Sequence, residues 1–233
     1  MDTFFFILKN VFLLGFPVIL AITLHESAHG FVALQCGDKT AYERGRISLN
    51  PFKHIDLFGT ILLPAFLIIV HAPFIFGYAK PVPVNFNALK NPRWDTLKVA
   101  AAGPLTNIFL AYFSALAFYV IPFFPDFLFT DFKTFLSTSI QINCILAIFN
   151  MLPILPLDGG RILGALLPPT LGKRFLHLER YGMIILLVLI SFPFLTSALL
   201  GFPIPLLSWI LFPFLNGLLD IIRILSGIPI AFL

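Results

Sequence analysis

Two histidines and a glutamate share the stretch Thr23-Leu24-His25-Glu26-Ser27-Ala28-His29-Gly30. On a helix, residues four apart lie on one face, so His25 and His29 can offer imidazole nitrogens to a single metal ion. Zinc suits that pair, at roughly 2.0–2.1 Å per Zn–N bond, and Glu26 falls beside the site, where a general base would stand. The motif lies inside an apolar run that begins near Phe4 and fades at Gly37. Ionisable residues are costly in hydrocarbon and usually functional there, which weighs against a chance grouping.

A two-histidine zinc site needs a third protein ligand and keeps the fourth position for water. Acids are few, and Asp158 stands out. It follows Asn150-Met-Leu-Pro153-Ile-Leu-Pro156-Leu157 and precedes Gly159-Gly160-Arg161. Two prolines three apart do not fit an undisturbed helix, so the backbone before Asp158 must open. The competing reading pairs Asp158 with Arg161 at a helix end. Asp56 and His54 stand next as third-ligand candidates. Cys36, seven residues after His29 and on its face, reads as a small buried hydrophobe.

The elements that position these groups belong to a membrane. The chain has 233 residues, 59% of them hydrophobic and 11% charged, with mean hydropathy +0.98. Such values describe an all-α polytopic membrane protein with the lipid bilayer as its partner, and they exclude an ordinary soluble domain. The net charge of +4 lies in loops, where it speaks to orientation and not to nucleic acid. Two cysteines in or beside apolar segments make no disulfide framework. The start lacks the basic residues and small-residue cleavage site of a signal peptide, so Phe4–Cys36 reads as a retained membrane helix. His25 and His29 then lie roughly 10–18 Å below the surface marked by Gly37.

Residues 37–56 form the most charged stretch, in which Arg46–Leu49 alternates weakly, as a short strand would. The apolar segment Leu57–Tyr78 is broken by Pro64 and Pro73. Ala79-Lys-Pro-Val-Pro-Val-Asn follows, proline-spaced and extended. Four clearer apolar segments come next: Leu97–Ile121, Phe135–Leu157, Met183–Leu200 and Leu206–Leu225. In the last, Asp220 and Arg223 neutralise each other at i,i+3. Residues 1–233 read as one transmembrane domain, with a catalytic core over about 4–165 and C-terminal helices over about 181–225.

Three stretches together resemble the signatures of the site-2 proteases: His25-Glu26-Ser-Ala-His29, Gly103-Pro104-Leu-Thr-Asn107, and Asn150-x-x-Pro153-x-x-Pro156-Leu157-Asp158-Gly159. The resemblance spans about residues 20–165 and is nearest to the compact bacterial and archaeal members without PDZ or CBS domains. It implies an intramembrane zinc metalloprotease with one zinc per chain. His25, His29 and Asp158 would be the ligands, Glu26 the catalytic base, and Asn150 a substrate-binding residue. The implied partner is a transmembrane protein substrate whose helix opens for cleavage. Strand addition along Arg46–Leu49 and Lys80–Val84 is one way to hold it.

Parity sets an expectation for topology. His25 and His29 close the first helix and Asp158 closes Phe135–Leu157, so both ends must lie on one side of the membrane. Two apolar segments lie between, so one is not a full span. Leu57–Tyr78 is assigned as re-entrant, because broken backbone survives at membrane depth only against protein or a cavity. About five full spans remain, with short strands near the cytoplasmic face. Of the 15 Lys and Arg, all but Lys9 and Lys133 then fall on one side, which predicts that the site opens to the cytoplasm with the N-terminus outside. A transporter or channel would also carry broken helices and buried polar groups, but needs no glutamate inside an H-x-x-x-H pair. A non-catalytic scaffold is expected to have lost Glu26 or a ligand.

Overall fold

The computed structural model describes residues 2–71 and 77–228. Nine α-helices account for most of them: α1 Asp2–Gln35, α2 Thr40–Glu43, α3 Leu63–Ile69, α4 Pro92–Ala117, α5 Asp126–Asn150, α6 Asp158–Leu166, α7 Pro169–Leu176, α8 Glu179–Leu200 and α9 Leu206–Ser226. A π-helical turn, Leu57–Leu62, leads into α3, and a 3₁₀ stretch, Phe118–Phe123, extends α4. Among the described residues, five helical stretches are long and apolar enough to cross a membrane: those of α1, α4 with its extension, α5, α8 and α9. The chain is a multi-pass membrane protein by this measure.

Helix α4 is the axis of the bundle and packs against α1, α5 and α6. It achieves close contact with small residues: Ala100, Ala102, Gly103, Ala111 and Ala115 are all buried. Small side chains let helix backbones approach closely in lipid, where no hydrophobic force draws helices together. Away from the histidines, Ala111, Ala115 and Phe118 pack with Ile140 of α5 and Ile222 of α9.

Several boundaries depart from those expected. Helix α5 begins at Asp126, nine residues before the expected Phe135, and ends at Asn150 instead of Leu157. Its first turns carry Asp126, Asp131 and Lys133, which interrupt the apolar pattern but not the helix, and Asp131 pairs with Lys9 of α1 at 2.6 Å. After Asn150 the chain opens into turns through Pro153 and Pro156. Asp158 therefore starts a short helix and does not end a long one. Helix α4 starts earlier than expected, at Pro92, a favoured first helical residue, and the Asn91 amide bonds to the Asp95 carboxylate at 2.8 Å.

The short strands expected near the cytoplasmic face are absent among the described residues. Their backbone groups are taken by other partners. The Ser48 carbonyl accepts from the Ser27 hydroxyl at 2.6 Å and from His54 Nε2 at 2.8 Å. The Arg46 amide donates to Ala41 O, and the Arg46 guanidinium donates to the carbonyls of Lys80 and Pro81. Pro81 and Pro83 have no N–H to offer a ladder.

Of the segment expected to re-enter, residues 57–71 and 77–78 are described and Pro73 lies outside them. The Tyr78 amide donates to Gly59 O at 3.0 Å. Gly59 has no room for a side chain, since a Cβ there would lie 2.4 Å from the Tyr78 ring. Both ends of the segment are thus side by side.

Candidate metal centre

His25 and His29 sit one turn apart on α1, both buried, with their Nε2 atoms 3.1 Å apart. The ring of His29 is anchored at its other nitrogen: Nδ1 lies 2.7 Å from the Val99 carbonyl of α4. A carbonyl can only accept, so Nδ1 carries a proton, and in the neutral ring the lone pair is on Nε2. His25 Nδ1 lies 2.6 Å from Asn107 Oδ1, one helical turn beyond Gly103 on the same helix. Both rings therefore turn their Nε2 atoms toward a common point.

Asp158 completes that point. Its Oδ2 lies 3.2 Å from His25 Nε2, and its Oδ1 lies 3.4 Å from His29 Nε2. Oδ2 is buried without a hydrogen-bond partner. With both imidazoles neutral and protonated at Nδ1, their Nε2 lone pairs and the carboxylate would all face one point, an arrangement that a bound cation relieves. One ligand atom from each of the three residues lies within 4.8 Å of the others. This donor set fits a divalent cation of the zinc type.

Local sequence explains how each side chain arrives. Gly103 lets α4 lie against both rings: a Cβ there would fall 2.4 Å from His29 Nε2 and 2.5 Å from His25 Nε2. Gly159 and Gly160 press the start of α6 onto the opened segment, where Cβ atoms would meet the Met151 carbonyl oxygen at 2.2 Å and the Ile154 backbone at 2.7 Å. Gly182 of α8 meets the Leu155 carbonyl in the same way, at 2.2 Å. Close approaches from α6 and α8 thus clamp the segment that leads to Asp158.

The competing residues lie elsewhere. Asp56 caps the π-helical turn through Gly59 N at 2.7 Å. His54 bonds the Ser48 carbonyl. Cys36 packs with Ala33, Leu89 and Val99. Arg161 pairs with Glu179 and not with Asp158, and its guanidinium lies 4.7 Å from the centre of the Phe86 ring.

Glu26 and Asn150 both line a cavity of about 470 Å³ together with His25, His29 and Asp158. Asn150 Nδ2 donates to Leu146 O at 3.0 Å, one turn back along its own helix. Glu26 Oε2 accepts from the backbone amide of Val82 at 2.7 Å. That amide is the sole donor in Pro81-Val82-Pro83. The strap of residues 79–85 carrying it is fastened at its end, where Asn85 N donates to Asp38 Oδ2 at 2.7 Å. Burial alone would raise the Asp38 carboxyl, but hydrogen bonds from the Thr40 hydroxyl, the Thr40 amide and the Asn85 amide outweigh it and hold it below its ordinary range.

The five side chains named from the sequence line one cavity, but sequence reasoning gave no role to the groups that hold them: Val99 O, Val82 N and Asn107, which it quoted only within a signature. For Asn107 a signal exists in the sequence, since it lies four residues after Gly103 and shares its helix face.

Comparison with known proteins identifies the family. The model of the family described as Peptidase family M50 matches residues 126–192, which include Asn150 and Asp158. A Bacillus subtilis (strain 168) protein named "Putative zinc metalloprotease YwhC" is 39% identical over 216 residues, covering 91% of this chain and 90% of that one. A Mycolicibacterium smegmatis protein named "Putative zinc metalloprotease Rip2" is 26% identical over 175 residues, covering 75% of this chain and 65% of that one. No solved structure matches. With that identity extending over nearly the whole of both the Bacillus protein and this one, the chain belongs to peptidase family M50.

Proposed function

We propose that this chain is an intramembrane zinc metalloprotease that hydrolyses peptide bonds in or near transmembrane segments of other membrane proteins. The observation that carries the reading is the meeting of His25 Nε2, His29 Nε2 and an otherwise unpartnered Asp158 carboxylate, beside Glu26, inside a helical membrane bundle. Membership of the M50 family and the names of the two relatives support zinc as the metal.

His25, His29 and Asp158 would hold the ion. Bound there, zinc supplies Lewis acidity, bringing the pKa of a coordinated water to about 7 and polarising the scissile carbonyl. Glu26 takes the water's proton and returns it to the leaving amine. The Val82 amide fixes Glu26 Oε2, which leaves Oε1 for that proton. Asn150 lines the cavity and holds the substrate strand or its developing oxyanion. The strap of residues 79–85, extended and beside Glu26, offers an edge for an unwound substrate.

The site opens to the cytoplasm, with the N-terminus outside and Leu57–Tyr78 dipping in and returning. Adjacency of Gly59 and Tyr78 supports the return. The Lys9–Asp131 pair supports placing Lys9 and Lys133 together at the end away from the histidines. The last turn of α9 does not fit five full spans from an outside N-terminus, which would end it on the histidine side: Tyr119 Oη donates to Ser226 O at 2.9 Å, so that turn, with Arg223, lies beside the far end of α4. The bias of the remaining Lys and Arg is unaffected.

The test is Glu26→Gln. The variant keeps zinc and fold but loses on the order of 10²–10⁴ in the rate of cleavage of a membrane-protein substrate in detergent or liposomes. Retention of wild-type turnover would overturn the assignment of the base.

A further inference from the structure

Behind the metal centre, in the buried interior of the bundle, lies a line of side chains that the chemistry above does not use. It runs from His25 to Asn107 of α4, to Asn143 of α5, and ends on the backbone of α5. Asn107 and Asn143 are among the most completely buried side chains in the protein, at 0% and 1% exposure.

The direction of each hydrogen bond is fixed by the far end. Asn143 Nδ2 lies 2.8 Å from the Ser139 carbonyl, which can only accept. The Asn143 amide must therefore turn its nitrogen to Ser139 and its oxygen to Asn107. Asn107 Nδ2 donates to that oxygen at 2.8 Å, with a weaker second acceptor in the Ala21 carbonyl at 3.4 Å. Asn107 Oδ1 is thus the atom that faces His25 Nδ1 at 2.6 Å. Only a protonated Nδ1 satisfies it, and the lone pair of neutral imidazole is then on Nε2, toward the metal. Reversing Asn143 would set its oxygen against the Ser139 carbonyl and its N–H groups against those of Asn107, and in a buried setting such mismatches are costly.

We infer that Asn143 is a positioning residue for the metal centre: acting through Asn107, it transmits the polarity of the Ser139 carbonyl to His25 and fixes the ring in its metal-binding tautomer. The inference rests on the proposed zinc-ligand role of His25 and deepens it. Partners of ligating histidines that fix the tautomer typically carry 10–100-fold in metal affinity. Asn143 stands one step further back, and Ala21 retains a weak hold on Asn107. Its removal is therefore placed near the lower bound, at about tenfold.

The experiment measures zinc affinity by chelator competition on the full chain, stripped of metal in detergent. Asn143→Leu should weaken zinc binding about tenfold. Asn143→Asp should restore it to within a few-fold of wild type, because a buried neutral carboxylic acid still donates to Ser139 O and accepts from Asn107. Wild-type affinity in Asn143→Leu, or equal loss in both variants, overturns the relay in favour of simple space-filling. A second measurement needs no variant. In ¹⁵N-histidine NMR of the metal-free wild type, His25 Nδ1 must carry a proton, and an unprotonated Nδ1 overturns the inference even if Asn143→Leu does not fold. Wild-type protein that takes no zinc at all would refute the proposed function, while the Nδ1 signal would still decide the relay.

Discussion

Gly103→Ala tests the centre with one methyl group. The added Cβ would fall 2.4 Å from His29 Nε2 and 2.5 Å from His25 Nε2 and Cε1. Ordinary van der Waals contact begins near 3.4 Å, so rings or helix must part by about 1 Å. Neither ring can move freely, because each is pinned at Nδ1, one by Asn107 and the other by Val99 O. Metal–ligand distances tolerate only about 0.2 Å, so the required shift is several times what the site can absorb. Loss of at least 10–100-fold in zinc affinity follows, about 1.4–2.7 kcal/mol. The same substitution should not harm helix formation, since alanine is favoured over glycine in a helix interior by about 1 kcal/mol. Metal binding and helix propensity therefore move in opposite directions. Zinc content by mass spectrometry and affinity by chelator competition read the first, and circular dichroism reads the second. Gly15→Ala and Gly217→Ala are the controls, as a Cβ at either meets nothing within 4 Å. Zinc bound to Gly103→Ala at wild-type affinity would refute the placement of α4 against the rings.

Three further outcomes are expected. Asp158→Ala loses bound zinc while Asp56→Ala and Cys36→Ser keep it, because only Asp158 meets the histidine pair; metal analysis of the purified variants decides. Val82→Pro deletes the amide that holds Glu26 Oε2, a charge-assisted hydrogen bond of about 1.5–3 kcal/mol. Its cleavage rate should fall about 10–100-fold with zinc retained, whereas Val82→Ala, which keeps the amide, should stay within a few-fold. Single cysteines placed within 39–43 and 87–91, on a background lacking Cys36 and Cys144, should both be shielded from an impermeant maleimide in intact cells and react once the cytoplasmic face is opened. Labelling from opposite sides would sink the re-entrant path of Leu57–Tyr78.

What the sequence determined by itself is local in origin. The four-residue spacing puts His25 and His29 on one face whatever the rest of the chain does, and Glu26 is next to them by covalent connection. Long apolar stretches state the solvent. Pro153 and Pro156 open the backbone before Asp158, because a residue without an N–H cannot continue a helix. Sequence pattern failed where charge interrupts hydrophobicity without interrupting helix, at residues 126–134 of α5. It failed again at residues 46–49, where alternation implied a strand but the Ala41 carbonyl took the Arg46 amide and the Ser27 and His54 side chains took the Ser48 carbonyl.

Only the tertiary structure decided which distant groups meet. His25 and Asn107 are 82 positions apart and Glu26 and Val82 are 56 apart. No periodicity links such residues, and their contacts exist because α4 packs on α1 through Gly103 and because Asp38 fastens the strap. The sequence favoured Asp158 over Asp56 because it alone joins an acid to a proline-broken membrane helix, but it could not place the carboxylate in space. Packing does that: glycines at 159, 160 and 182 admit backbone where side chains would stand, and that close approach carries the Asp158 carboxylate to the two Nε2 atoms while Asp56 remains a helix cap.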